Sequence, residues 1–103
     1  MIVAELSVVP VGSGTSVSGF VKAVLDVLEK EGVKFELHAM GTVIEAEDLK
    51  TLLFAVEKAH EAVFKEGAKR VVTTLRIDDR RDKEISIKSK IKSVKQRQAN
   101  EKK

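Results

Sequence analysis

Alternating apolar and polar positions predict three strands in the first half of the chain. Residues 2–9 place an apolar side chain at every even position, the two-residue period of a half-buried strand. Pro10 ends this strand because proline has no N–H to donate to a ladder. Residues 33–38 and 42–47 alternate in the same way on either side of Ala39-Met40-Gly41. They predict a hairpin, and one side of it is rich in carboxylates.

Helical spacing of apolar residues predicts two helices, over residues 17–28 and 49–63. Each is preceded by a side chain that can accept a hydrogen bond from free main-chain N–H groups, and each is followed by a glycine that can leave the helical conformation. The predicted caps are Thr15 or Ser16 for the first helix and Asp48 for the second, and the terminal glycines are Gly32 and Gly67.

The last third of the chain predicts one more strand and a short third helix. Residues 69–77 alternate as a strand, and the charged turn 78–82 follows. Ile87, Ile91 and Val94 then recur at steps of four and three, which favours a helix over a strand.

A repeated segment indicates that the chain is built from two similar halves. Lys-Glu-Gly-Val-Lys at 30–34 ends the first helix, and Lys-Glu-Gly-Ala-Lys at 65–69 ends the second. Each half is strand, helix, strand, and two halves give the βαββαβ order of the ferredoxin-like α+β sandwich. We predict an antiparallel four-stranded sheet with both helices on one face. This domain would span residues 1–82, and residues 83–103 would form a basic C-terminal helix and tail.

The sheet face opposite to the helices, called the open face below, is expected to have no cover within the chain. It mixes valine with charges of both signs, which favours packing on another copy and leaves room for a polar ligand. We therefore predict a symmetric homo-oligomer with a dimer as the minimum. The residues predicted on the open face are Val3, Glu5, Ser7, Val9, Lys34, Glu36, His38, Val43, Glu45, Glu47, Arg70, Val72, Thr74 and Arg76.

Composition and charge narrow the class of protein. A chain of 103 residues can bury one two-layer core. The absence of cysteine excludes disulfides and thiolate metal sites, and we expect a cytoplasmic location. No apolar run reaches the length of about eighteen residues that a membrane span needs. The net charge of +3 is uneven, because residues 83–103 hold eight Lys or Arg against two Glu (+6), which leaves −3 for residues 1–82.

The sequence contains no catalytic or metal-binding motif. Val17 follows the turn Gly12-Ser13-Gly14 where a dinucleotide fingerprint needs glycine, and Phe20 stands where a P-loop needs lysine. His60 lies on the apolar side of the second helix and His38 on the open face, and neither has a partner at a spacing typical of catalysis or metal binding. We expect a protein that is not an enzyme and binds no metal.

Nucleic-acid binding is not expected either, although RNA-binding domains share this topology. Their sheets stack bases on aromatic side chains, whereas this chain has no Trp or Tyr and its four Phe belong mostly to helices. Only the basic tail could attract nucleic acid, and it would do so without sequence specificity.

Several segments of the chain resemble one known family. The matching segments are Val9-Pro10-Val11-Gly12, Met40-Gly41-Thr42-Val43-Ile44-Glu45-Ala46-Glu47, His60, Arg70-Val71, Ile77-Asp78-Asp79-Arg80 and Lys90-Ile91-Lys92-Ser93-Val94. With these segments in this order, the chain resembles the small thiamine-binding protein family, the YkoF-like group. The resemblance implies a ferredoxin-like subunit that assembles through its sheets into dimers and tetramers, binds thiamine or its aminopyrimidine part, and performs no known reaction.

The resemblance also implies a ligand site around the hairpin. Thiamine has a cationic thiazolium and an aminopyrimidine, and a carboxylate can bind a protonated ring nitrogen or accept a hydrogen bond from the exocyclic amine. Glu45 is the first candidate for this role. Thr42 and the main chain at Met40 and Gly41 would complete the polar contacts, and Met40 would supply a soft surface for a ring. The remaining candidates are Ser16, Ser18, Glu47, Glu5 and Ser7.

Each of these assignments has an alternative. Glu45 could form a salt bridge with Arg70 or Arg76, and Met40-Gly41 could be only a turn. Ala46 stands where the family usually has glycine, so a main-chain approach that glycine permits is altered. For the whole protein, the alternatives are a purely structural or regulatory oligomer and a weak nucleic-acid binder that acts through its basic tail.

Overall fold

The computed structural model describes residues 1–14 and 16–101, which form an α+β sandwich. Its elements are β1 (Ile2–Pro10), α1 (Ser18–Lys30), β2 (Lys34–His38), β3 (Gly41–Ala46), α2 (Leu49–Lys65), β4 (Val71–Asp79) and α3 (Ile87–Glu101). The strands form one antiparallel sheet in the order β2-β3-β1-β4. This arrangement confirms the predicted ferredoxin-like fold.

The core lies between the sheet and the helices α1 and α2. Even-numbered residues of β1 and β3 point toward the helices, as their alternation predicts, and Leu6 and Ile44 are fully buried there. Leu28 of α1 and Leu52 of α2 complete this core. Burial of a large aliphatic side chain stabilises the fold by about 1.5–3 kcal/mol, so this face of the sheet is the stable part of the domain.

The beginnings of α1 and α2 differ in how they are capped. Asp48 Oδ1 accepts a hydrogen bond from Thr51 N–H at 2.7 Å, which confirms the predicted cap of α2. The same hydrogen bond lowers the pKa of Asp48. α1 begins after Val17, which has no side-chain cap, so the prediction of Ser16 as a cap is wrong because Ser16 lies one residue too early. Thr15, the other predicted cap, lies outside the described residues.

The two repeated Lys-Glu-Gly segments end α1 and α2 in the same way. Gly32 and Gly67 have φ angles of +73° and +105°, in the left-handed region that favours glycine. Gly32 N–H donates to Glu29 O at 3.1 Å, and Gly67 N–H donates to Phe64 O at 3.0 Å. The internal repeat in the sequence therefore corresponds to a repeated helix end.

α3 corrects the expectation that the open face has no cover within the chain. The segment after β4 returns beneath the sheet, and Ile85 and Ile87 bury themselves against Val3 at one end of this face. Farther along the helix, Ile91 and Val94 are 44% and 68% exposed. The helix is longer than predicted, at fifteen residues. No helix within the described ranges, α3 included, is long and apolar enough to cross a membrane.

Candidate ligand-binding site

β1 is paired along its whole length on one side and along only part of its length on the other. Its ladder with β4 runs from Ile2 to Pro10, whereas its ladder with β3 stops at the pair Leu6↔Thr42. The last residues of β1, Ser7–Pro10, therefore extend past the β2–β3 turn. Among the described residues this part of β1 has no strand partner on the β3 side, so its main-chain edge lies unpaired beside that turn.

The direction of the main-chain groups along this edge follows from one hydrogen bond. Val11 N–H donates to Arg70 O at 2.8 Å, on the β4 side. Because main-chain groups alternate in direction along an antiparallel strand, the N–H and C=O of Val8 point to the other side, toward the gap. Pro10 suits this place because its missing N–H would also point toward the unpaired side.

A cavity of about 980 Å³, called the hairpin cavity below, occupies the space between this edge, α1 and the β2–β3 hairpin. The volume is in the range of about 300–1,000 Å³ that is typical of small-molecule sites. Its walls are mostly apolar, and its uncharged polar groups include those of Ser7, Ser18, His38 and Thr42. The apolar walls include Val17, Val21, Leu25, Phe35, Leu37 and Met40.

The structure brings some of the predicted site residues together and separates others. Ser7, Ser18, Met40, Gly41 and Thr42 all line this cavity. Met40 is 87% exposed at its mouth, whereas Thr42 is only 4% exposed. The lining of the cavity does not include Glu5, Ser16, Glu45 or Glu47.

Gly41 is favoured at the turn by a close approach and not by its φ angle. An added Cβ would lie 3.1 Å from Leu6 O and 3.4 Å from Glu5 Cγ. No described residue other than glycine has a positive φ, so Ala39 and Met40 form the turn without backbone strain. The hairpin therefore lies so close to β1 that a side chain at residue 41 would push the two apart by a few tenths of an ångström.

Glu45 lies at the opposite end of β3 and already has two partners. Its Oε1 accepts a hydrogen bond from Ile87 N–H at 2.5 Å, and its Oε2 lies 3.6 Å from Lys34 Nζ. The side chain is only 10% exposed. Glu45 thus caps the first turn of α3, where free N–H groups attract a carboxylate. Within the described chain its ion pair is with Lys34, not with Arg70 or Arg76 as the alternative proposed.

Charged side chains of α1 also line the hairpin cavity, and the sequence did not indicate them. Asp26 and Glu29 supply carboxylates there, and Lys22 Nζ lies 2.8 Å from Asp26 Oδ2. This hydrogen bond raises the pKa of Lys22. One pattern in the sequence could have indicated the wall of the cavity. The apolar stripe of α1 is wider than the two positions that the core buries, Val24 and Leu28.

A second cavity, of about 690 Å³, is a groove that lies along α3 at the other end of the open face and is called the α3 groove below. Glu36 and Ile91 line it together with lysine side chains. A groove rich in ammonium groups suits anions better than cations. The lysines are Lys34, Lys88, Lys92 and Lys95.

His60 lies between α2 and β4, away from both cavities. Its Nδ1 is 2.6 Å from Thr73 Oγ1, and its ring meets the Phe64 ring edge-on with centroids 5.3 Å apart. The half-buried position agrees with the expectation of a histidine on the apolar side of the helix.

Comparison with known proteins gives consistent matches over most of the chain. The family model described as thiamine-binding protein matches residues 4–95. A UPF0045 protein of Methanothermobacter thermautotrophicus is 50% identical over 98 residues, which cover 94% of this chain and 99% of that protein. The UPF0045 protein YqgV of Bacillus subtilis is 44% identical over 99 residues, which cover 91% of this chain and 94% of that protein.

Solved structures show the same fold. The hypothetical protein MJ1052 of Methanocaldococcus jannaschii is 45% identical, with a TM-score of 0.83 over 90% of this chain and 94% of that one. A Thermotoga maritima protein whose description names thiamine biosynthesis or salvage has a TM-score of 0.75 over 90% of this chain and 97% of that one. At 20% identity this second likeness concerns the fold alone.

Proposed function

The chain belongs to the thiamine-binding protein family, and from this premise we propose that it binds thiamine, or the aminopyrimidine part of thiamine, without transforming it. The membership confirms the resemblance drawn from the sequence. The observation that supports the proposal most is the hairpin cavity, where Met40–Thr42 meet the unpaired end of β1.

The unpaired main chain of β1 offers hydrogen bonds that match an aminopyrimidine. The ring has a nitrogen acceptor next to an exocyclic amine donor. Val8 offers one N–H donor and one C=O acceptor toward the cavity, in the spacing that a neighbouring strand would use. A flat heterocycle can therefore take the place of the missing strand, with its faces against the apolar walls.

The charge of the cavity suits the other ring of thiamine. Thiazolium is a cation, and Asp26 and Glu29 place two carboxylates along the α1 side against the single ammonium group of Lys22. The groove along α3 would oppose the same cation with its lysines. Charge therefore favours the hairpin cavity over the α3 groove as the thiamine site.

The proposed module is a cytoplasmic homo-oligomer, a dimer or tetramer that packs through its sheets. Val9 and Val72 are 46% and 49% exposed on the part of the open face that α3 leaves uncovered. Such valines, next to polar Ser7 and Thr74, suit contact with a second copy. Storage, sensing or delivery of the ligand requires no catalytic group.

Calorimetric titration of thiamine into paired variants tests the proposed site. Leu37 and Glu36 are neighbours on β2 that face opposite sides of the sheet, so Leu37 lines the hairpin cavity and Glu36 lines the α3 groove. Both are exposed, so tryptophan at either position should leave the core intact. Leu37→Trp should fill the cavity and weaken thiamine binding at least tenfold, whereas Glu36→Trp should bind as the wild type does.

The pair also gives results that contradict the proposal. Binding lost only in Glu36→Trp would place the ligand in the α3 groove. No saturable heat from folded wild-type protein would exclude thiamine as the ligand. Titration with the free aminopyrimidine then shows whether that ring alone is sufficient for binding.

A further inference from the structure

In the described chain, α3 is held to the sheet by its first turn. Ile87 packs against Val3, and its N–H donates a hydrogen bond to Glu45 Oε1. One turn later Ile91 is 44% exposed, and Val94 beyond it is 68% exposed. All residues from 90 to 100 are exposed. Most of the surface of α3 is therefore open to a partner.

The exposed part of α3 continues the apolar stripe that its first turn buries. Ile87, Ile91 and Val94 follow at steps of four and three, the spacing of the a and d positions through which two helices pack. In this heptad Ile87 and Val94 are d positions and Ile91 is an a position. Since Ile87 already packs on the sheet, Ile91 and Val94 are left for a second helix.

The positions that flank this stripe all carry positive charge. Lys88 and Lys95 occupy the e positions, and Lys90 and Arg97 occupy the g positions. Charges at e and g decide which helix a stripe accepts, because they lie beside the e and g residues of the partner. Lys90 already forms an ion pair within its own chain. The other three are absent from the ion pairs of the described residues, so they can pair with carboxylates of a partner.

The α3 groove places further positive charge beside the same stripe. Ile91 and the two e-position lysines line the groove together with Lys34 of β2. Glu36 is the one carboxylate in this lining. An acidic side chain of a partner that lies on the stripe would therefore meet ammonium groups from both walls of the groove.

Three other occupants suit this surface less well than an acidic helix does. The α3 of a second copy would set basic e and g positions against each other, and like charges in these positions repel. A nucleic-acid strand stacks its bases on aromatic side chains, and none of the described residues that line the groove is aromatic. A helix that lies on a membrane surface needs a broad apolar face, whereas the exposed large apolar residues of α3 are Ile91 and Val94.

We propose that α3 and its groove bind an acidic amphipathic helix of a partner protein, with the apolar stripe of that helix on Ile91 and Val94 and its carboxylates on the flanking lysines. In this mode of recognition, apolar contacts supply affinity and charges select the partner. The proposal goes beyond thiamine binding and does not depend on it, because the α3 groove and the hairpin cavity share no lining residue.

Two synthetic peptides test this proposal. The probe is a fluorescently labelled peptide of three heptads with leucine at a and d and glutamate at e and g, and its own charges keep it from pairing with itself. The control peptide has lysine at e and g and is otherwise identical. Fluorescence anisotropy with the full chain should show saturable binding of the acidic peptide and at least tenfold weaker binding of the basic peptide. Added salt should weaken binding of the acidic peptide.

Charge reversal on α3 should change the preference between the two peptides. Lys88→Glu combined with Lys95→Glu should weaken binding of the acidic peptide at least tenfold and strengthen binding of the basic peptide. Lys50→Glu combined with Lys58→Glu is the matched control, because it changes the net charge equally at exposed positions of α2 and should leave both affinities unchanged. Ile91→Ala should weaken binding of the acidic peptide about tenfold.

Several results overturn the proposal. Folded wild-type protein that binds neither peptide, or both equally, has no site for an acidic helix. Unchanged binding of the acidic peptide by the charge-reversed variant would place its site away from α3. An oligonucleotide of twelve thymidines, or a phosphatidylglycerol vesicle, that displaces the peptide at a lower concentration would make nucleic acid or an anionic membrane the occupant. An affinity that falls as the protein concentration rises would make a second copy the occupant.

Thiamine titration separates this proposal from the proposed function. The charge-reversed variant should bind thiamine as the wild type does. A wild-type protein that binds thiamine and not the acidic peptide would refute this proposal alone, and the reverse result would count against the hairpin cavity alone.

Discussion

The two ends of β3 differ in how they satisfy their polar groups. At the Glu45 end, the carboxylate accepts a hydrogen bond from Ile87 N–H and forms an ion pair with Lys34 of the same chain. At the turn end, the main chain of β1 continues past Thr42 with no described strand on its β3 side, and a cavity opens beside it. A single strand thus has one end completed within the chain and one end available to a ligand. A carboxylate on a sheet face therefore need not mark a ligand site, because groups of the same chain can supply its hydrogen bond and its ion pair.

The largest effect on stability is expected at the Glu45 end of β3, from truncation of the residue that anchors α3. Ile87 is 4% exposed and packs against Val3. Ile87→Ala should lower the free energy of unfolding by about 2–5 kcal/mol, as for other buried large-to-alanine changes. Urea denaturation followed by circular dichroism measures the change. Ile91→Ala, one turn later and 44% exposed, is the matched control and should change stability by less than about 0.5 kcal/mol.

The second effect concerns Glu45 itself. Glu45→Ala leaves Ile87 N–H and Lys34 without their partner, and a hydrogen bond to a charged group is worth about 1.5–3 kcal/mol. We expect a loss of stability in this range and faster proteolysis of α3, whereas Glu45→Gln should lose less because it keeps an acceptor for Ile87. If Glu45→Ala instead keeps full stability and loses thiamine binding, Glu45 is a ligand residue and the distinction between the two ends fails.

A third, smaller effect is expected at the turn end. A Cβ at residue 41 would come within 3.1 Å of Leu6 O, so Gly41→Ala should cost about 1–2 kcal/mol and weaken thiamine binding by displacing the turn. Gly19→Ala is the control, because an added Cβ there meets nothing within 4 Å and lies in a helix. That variant should be neutral or slightly stabilising. Thermal unfolding and calorimetry of both variants check this expectation.

The smallest effect is expected from acid, at the helix that follows β3. The hydrogen bond from Thr51 lowers the pKa of Asp48 below its ordinary value of 3.8. The stability that this cap provides is complete above the ordinary value, and it is lost as the pH falls through the lowered value. Asp48→Asn keeps an acceptor that does not titrate, so its stability should fall less steeply below pH 4. Parallel acid-dependent curves for both proteins would contradict the role assigned to Asp48.

The fold could be predicted from the sequence because its periodic patterns are local. Alternation assigned the faces of β1 and β3, and the repeated Lys-Glu-Gly segments located both helix ends. The cover over Val3 could not be predicted in this way, since it depends on where the chain returns after the turn 80–86. For the same reason the partners of Glu45 were missed, because Ile87 lies forty-two residues away in the sequence.

The candidate site could be predicted only in part. The hairpin motif indicated Met40–Thr42, and these residues line a cavity together with Ser7 and Ser18. The unpaired end of β1 depends on the unequal lengths of two ladders, which no local pattern contains. The carboxylates of α1 look like ordinary surface charges in the sequence, so their position at the cavity appears only in three dimensions.

Amide chemical shifts in a thiamine titration show which end of β3 binds the ligand, because single residues report on each end. If thiamine binds in the hairpin cavity, the largest changes will fall on Met40–Thr42 and Val8. The amide of Ile87, which reports on the Glu45 cap, should stay where it is. Large shifts at Ile87 and Lys34, without changes at Met40–Thr42, would exclude the hairpin cavity and place the ligand at the Glu45 end of β3.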